Sequence, residues 1–105
     1  MINLWYMIGV MTMQKNDAEN LKKGDVVYYL TISYLVEPCT VENVTKDETG
    51  NVVVSFDDGC EEVFTNDSHK YIYLTRKEAI DAARYELEGM LEAINQTYPD
   101  LDKKD

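Results

Sequence analysis

At Thr75 the spacing of apolar residues changes period. Upstream, apolar and polar side chains alternate, the pattern of half-buried strands; downstream they recur every three to four residues, the pattern of a helix. A chain written this way is neither all-helical nor all-strand. The first strand is predicted over VVYYLTISYLV, 26–36, where Val26, Tyr28, Leu30, Ile32, Tyr34 and Val36 share one face. Pro38 marks an edge or a break, and CTVENV, 39–44, makes a second strand. KDETGN, 46–51, is a turn in which Gly50 supplies a positive φ. VVVSF, 52–56, is the third strand, Asp57-Asp58-Gly59 closes a tight hairpin, and CEEVF, 60–64, is the fourth. YIYL, 71–74, is a short fifth. Thr75 caps a helix from Arg76 to Thr97, with Glu78 completing a capping box and Pro99 stopping the chain beyond it. Ile80, Ala83, Leu87, Leu91, Ile94 and Tyr98, with Met90 beside them, form one apolar stripe for docking on a sheet or another helix.

The expected fold is therefore α+β: a small five-stranded antiparallel, partly open barrel followed by one C-terminal amphipathic helix. With 105 residues the chain fits one domain, predicted over 21–98, with an N-terminal extension over 1–20 and a disordered tail over 99–105. QKNDAENLKKG, 14–24, reads as a lead-in loop ending at Gly24. The segment before it, MINLWYMIGVMTM, is apolar but lacks a basic n-region and falls short of the roughly 20 residues a bilayer span needs. Two readings of it stand: translation starting at Met11 or Met13 rather than Met1 or Met7, or an added element covering a sheet edge or a partner.

Three stretches carry a resemblance: LKKGDVVYYL, TVENVTKDETGNVVVSFDDG and YIYLTRKEAIDAA. Together they resemble small Src-homology-3-like or Tudor-like barrel proteins of bacteriophages and mobile elements, over about residues 21 to 84. The resemblance implies a cytoplasmic protein acting in a bacterial host. Tudor-like barrels cage methylated lysine or arginine with strand aromatics, so it also implies a reading in which Tyr28, Tyr29, Tyr34 and Phe56 grip a peptide or a modified residue. The ordinary account of these rings, and of Tyr71 and Tyr73, is core filling.

No residue set calls for catalysis. Asp57, Asp58, Glu61 and Glu62 sit at a hairpin tip, wet on both sides, whereas acid–base work needs two carboxylates in unlike environments. Asp67-Ser68-His69 are sequence neighbours, while triad members converge through a fold. GxSxG, P-loop, HExxH, GxGxxG and calcium-loop spacings are absent. Cys39 and Cys60 lack CxxC spacing and read as reduced thiols; with His69 they fall short of a four-ligand zinc site. The expectation is no enzyme, no metal and no cofactor.

Charge is the outlying property. Twenty acidic residues against ten basic give −10, a surface that repels nucleic acid and anionic lipid and attracts basic proteins. Between Glu37 and Asp67 there are nine acidic residues and one basic, Lys46. On the helix, Glu78, Asp81, Glu88 and Glu92 fall on one face, spanning about 21 Å at the usual rise. Ordered carboxylates imitate a phosphate backbone, and small acidic phage proteins include anti-CRISPR inhibitors and other DNA mimics. The leading expectation is a non-enzymatic inhibitor whose partner is a basic nucleic-acid-binding host defence protein such as a CRISPR nuclease. Its predicted partner-binding residues are Glu42, Asp47, Glu48, Asp57, Asp58, Glu61 and Glu62, then Glu78, Asp81, Glu88 and Glu92. The plain alternative is a solvated, solubilising surface. No direct nucleic-acid or membrane contact is expected, and a homodimer through the helix stripe is a third expectation.

Overall fold

A short helix, five strands and a long helix follow one another: α1 (Lys15–Glu19), β1 (Val26–Leu30), β2 (Val36–Lys46), β3 (Val52–Phe56), β4 (Glu61–Phe64), β5 (Ile72–Tyr73) and α2 (Arg76–Thr97). They are seen in a computed structural model that describes residues 12–67 and 70–99. Met1, Met7 and Met11, His69, and the tail from residue 100 lie outside the described residues. The strands form one antiparallel sheet in the order β4-β3-β2-β1-β5, curled into a half-barrel.

The sheet curls because β2 serves two partners. Val36 to Thr40 pair with β1, and Val41 to Lys46 pair with β3. A register shift between Val41 and Asn43 separates the two ladders, and a bulge there bends the strand. Pro38 is accommodated within β2, opposite Tyr28, on the stretch paired with β1 alone.

The predicted strand over 26–36 is two strands and a turn. Thr31 ends β1: its Oγ1 accepts from the backbone N–H of Ser33 (3.2 Å) and of Leu35 (3.1 Å). Backbone bonds from Thr31 N to Leu35 O and from Tyr34 N to Thr31 O close the loop. A threonine hydroxyl can thus outcompete strand extension. Tyr34 sits in the left-handed region at φ 63°, a rare place for an aromatic residue. The second strand accordingly runs 36–46 rather than 39–44. The lead-in loop also differs: Lys15–Glu19 is helical, with Asp17 Oδ2 accepting from Gln14 N–H (2.9 Å) and Ala18 wholly buried. Met13, 1% exposed, donates its N–H to Ile72 O (2.8 Å).

Two apolar clusters lie on opposite faces of the sheet. The concave face holds Val27, Val41, Val52, Val54, Phe56, Phe64 and Ile72, closed by Met13 and Ala18. The convex face holds Leu30 and Tyr73 under Ala79, Ala82 and Ala83 of α2, with Tyr28, Tyr34 and Val36 at the margin. Helix α2 spans the predicted residues; Thr75 Oγ1 accepts from Glu78 N–H (3.1 Å) and donates to Glu78 Oε1 (2.9 Å). Its buried face meets the predicted stripe only at Ala83. The alanine face docks, and Leu87, Leu91, Ile94 and Tyr98, roughly a quarter turn away, remain exposed. Small side chains let the helix approach the sheet more closely than leucines would.

Candidate binding surface

The β3–β4 hairpin is built by its turn chemistry. Gly59 takes φ 91°, Asp58 Oδ1 accepts from Cys60 N–H (2.9 Å), and Asp57 N–H reaches across to Thr40 O (3.0 Å). This places the hairpin beside the open mouth of the half-barrel. The mouth is a cavity of about 320 Å³ with Tyr29, Phe56 and Ile72 as its apolar walls. Glu37, Asp58 and Glu62 stand around it, with the thiols of Cys39 and Cys60 between them.

The electrostatics of the two thiols reports how close these carboxylates are. Cys39 is pushed up first by burial, then by the charges of Asp58 and Glu37. Cys60 is pushed up chiefly by the charge of Asp58. Both thiols therefore hold their protons more tightly than an ordinary cysteine, the opposite of an activated nucleophile. Among the described residues no group of three or more His, Cys, Asp or Glu is arranged to hold a metal ion.

The predicted carboxylates do not stand as one array. Glu42 Oε1 pairs with Lys23 (3.3 Å), Glu62 Oε1 with Lys70 (3.1 Å) and Asp81 Oδ2 with Lys77 (2.7 Å). Asp47 is folded into its own turn, accepting from Thr49 N–H (2.9 Å), Thr49 Oγ1 (2.7 Å) and Asn51 N–H (3.0 Å), and its carboxyl is held below the usual range by these bonds, that from the Thr49 hydroxyl first. Glu78 is the helix cap partner already described. Glu61 accepts from Ser55 Oγ (3.2 Å), and Glu92 from Gln96 Nε2 (3.4 Å). Glu48, Asp57, Asp58, Glu61, Glu88 and Glu92 are exposed. Of the predicted acids, Asp58 and Glu62 are brought together at the mouth, joined there by Glu37, which was not among the predicted residues. Glu78, Asp81, Glu88 and Glu92 belong to α2 and do not line the mouth.

Comparison with known proteins finds no match: no family model, no curated protein and no solved structure is similar to the chain. No helix among the described residues is long and apolar enough to cross a membrane.

The aromatic set divides in two. Phe56 is core, 5% exposed, and Tyr28 packs at the margin of the convex cluster. Tyr29 and Tyr34 instead line a second, smaller cavity of about 180 Å³ together with Tyr71 and Glu86. Tyr29 thus stands between the two cavities and borders both. Tyr34 Oη lies 3.5 Å from Glu86 Oε1 and 3.8 Å from Met90 Sδ. The Tyr34 phenol is raised by burial and then by the Glu86 charge; Tyr73, fully buried, is pushed up to about 12 by burial and then by Glu86. Glu86 and Tyr71 are absent from the residues predicted to bind. The signal for Glu86 is its spacing from Ala79, Ala82 and Ala83, which puts a carboxylate on the docking face of α2.

Proposed function

We propose that this chain is a non-enzymatic acidic binding protein that docks a cationic protein surface through the mouth of its half-barrel and the adjoining β3–β4 hairpin. The observation that carries this reading is the gathering of Glu37, Asp58 and Glu62 around an apolar-walled opening, with Asp57 next to it in the hairpin turn, on a chain of net charge −10. Such an opening offers both long-range attraction and apolar area once a partner has arrived. The phage-protein resemblance makes the basic nucleic-acid groove of a host defence protein, such as an RNA-guided nuclease, the partner class of choice. Internal pairing of Glu42, Asp81 and Glu62 shifts the weight of the proposal from a long imitation of phosphate spacing to a compact mouth whose Glu37 and Asp58 have no ion pair among the described residues.

The test is a binding titration against a purified RNA-guided nuclease, repeated from low to high salt and with duplex DNA as competitor. Binding should weaken steeply with salt and be mutually exclusive with DNA. The variant Asp57→Asn/Asp58→Asn should lose binding by at least tenfold. Salt-independent binding, or binding unaffected by that variant, overturns the reading.

A further inference from the structure

The small cavity at the β1–β2 turn contains an electrostatic mismatch. Glu86, on the sheet-facing side of α2, lines a site with Tyr29, Tyr34 and Tyr71. Its Oε2 is closed to solvent and has no hydrogen-bond partner among the described residues. Its Oε1 has only the Tyr34 hydroxyl, at 3.5 Å, the far limit of a hydrogen bond. No lysine or arginine of the described residues forms an ion pair with it. A carboxylate accepts several hydrogen bonds when satisfied, and an ionised one left short of them inside a protein is costly. The hydroxyl of Tyr73, buried and without a partner as well, feels the same charge. The backbone of Tyr34 is held at φ 63° in the turn that forms one wall, and strain of this kind recurs at ligand sites.

From these observations we infer that the Tyr29–Tyr34–Tyr71–Glu86 cavity is a receptor for an arginine side chain, presented by the basic partner of the acidic mouth. The inference rests on the proposed function for the identity of the partner, but the cavity chemistry stands apart from it. The orphaned carboxylate selects for a cation with N–H donors. The tyrosine-rich lining selects for a flat, weakly hydrated one, which stacks on aromatic faces. A guanidinium meets both demands, and its paired N–H groups match the two oxygens of a carboxylate. The last torsion of a glutamate is soft, so a small rotation turns the covered oxygen toward the ligand. A quaternary ammonium satisfies the rings but donates nothing to Glu86. At about 180 Å³ the cavity is below the roughly 300–1,000 Å³ of sites for drug-sized ligands and suits a side-chain head group. Tyr29, shared with the mouth, places the two cavities side by side, so a peptide segment could seat its arginine here while its neighbours face Glu37 and Asp58.

The experiment is an NMR titration of the full chain with ethylguanidinium chloride, against tetramethylammonium chloride and n-butylammonium chloride at matched ionic strength. Ethylguanidinium should give saturable shifts confined to the Thr31–Tyr34 turn, Tyr71 and the backbone around Glu86, and bind at least several-fold more tightly than either control. Glu86→Gln should weaken it about tenfold or more, and Tyr71→Leu, at an exposed position that tolerates the change, should weaken it by several-fold. Shifts spread evenly over the acidic surface, equal affinity for tetramethylammonium, or unchanged binding in both variants would overturn the inference. Asp57→Asn/Asp58→Asn should leave ethylguanidinium binding intact while weakening partner docking. Loss of docking with retained guanidinium binding, or the converse, therefore tells the failure of one reading from the failure of the other.

Discussion

Lys70 Nζ lies 3.1 Å from Glu62 Oε1, placing a cation beside a mouth otherwise rimmed by carboxylates. Both side chains are about one-third exposed, 34% and 36%. An ion pair this wet contributes about 0–1 kcal/mol to stability. Lys70→Gln should therefore hardly move the denaturation midpoint. It should tighten docking of a cationic partner, because it removes a like charge from the surface the partner meets. Denaturant unfolding and the salt-series titration check the two halves of this expectation.

The turn at Tyr34 gives a reversal of the usual order. Replacing a residue by glycine normally destabilises more than replacing it by alanine. At φ 63° an alanine keeps the left-handed strain and a glycine does not. Both variants lose the same ring, so Tyr34→Gly should unfold at a higher denaturant concentration than Tyr34→Ala.

Tyr73 should make stability fall in strong alkali. Its folded pKa, about 12, lies above the ordinary tyrosine value near 10. The protonated phenol is thus favoured in the folded state. The stability it supports is intact below pH 10 and is lost as pH rises from about 10 to 12, by up to about 2–3 kcal/mol. Tyr73→Phe should remove much of that alkaline loss. At neutral pH it should cost little or even stabilise, since the hydroxyl it deletes is buried without a partner among the described residues. Unfolding curves of the two proteins from pH 7 to 11 make the comparison.

The docking of α2 through alanines predicts opposite tolerances on two of its faces. Ala82, 1% exposed, has no room for growth, so Ala82→Leu should destabilise by about 1–3 kcal/mol through overpacking. Leu91 is 59% exposed, and Leu91→Gln should stay within about 0.5 kcal/mol. If the leucine stripe were the docking face, the order would reverse.

What could be read from the sequence was local chemistry. Asp58-Gly59, Gly50 and the Thr75–Glu78 cap each specify one geometry, and β3, both hairpins around it and the ends of α2 followed from them. The β1–β2 hairpin stayed hidden because its left-handed position is filled by Tyr34 rather than by glycine or asparagine. Without that hairpin, the opposition of Tyr29 and Glu37 could not be foreseen. Helix α1 is five mostly polar residues, too short to show a period. Which part of the α2 stripe meets the sheet was hidden because hydrophobicity ranks leucine above alanine, while close packing on the sheet took Ala79, Ala82 and Ala83. Charge could be counted in advance, but which carboxylates are neutralised by Lys23, Lys70 and Lys77 depends on tertiary proximity.

Strand β1 sends Val27 into the concave cluster and Leu30 into the convex one, and it is hydrogen-bonded on both edges, to β2 and to β5. Detaching α2 leaves the concave side closed over it, and opening the barrel leaves α2 clamped on its back. Its amides should consequently be the last in the molecule to trade protons for deuterons, surviving every partial opening and yielding only when the whole chain comes apart.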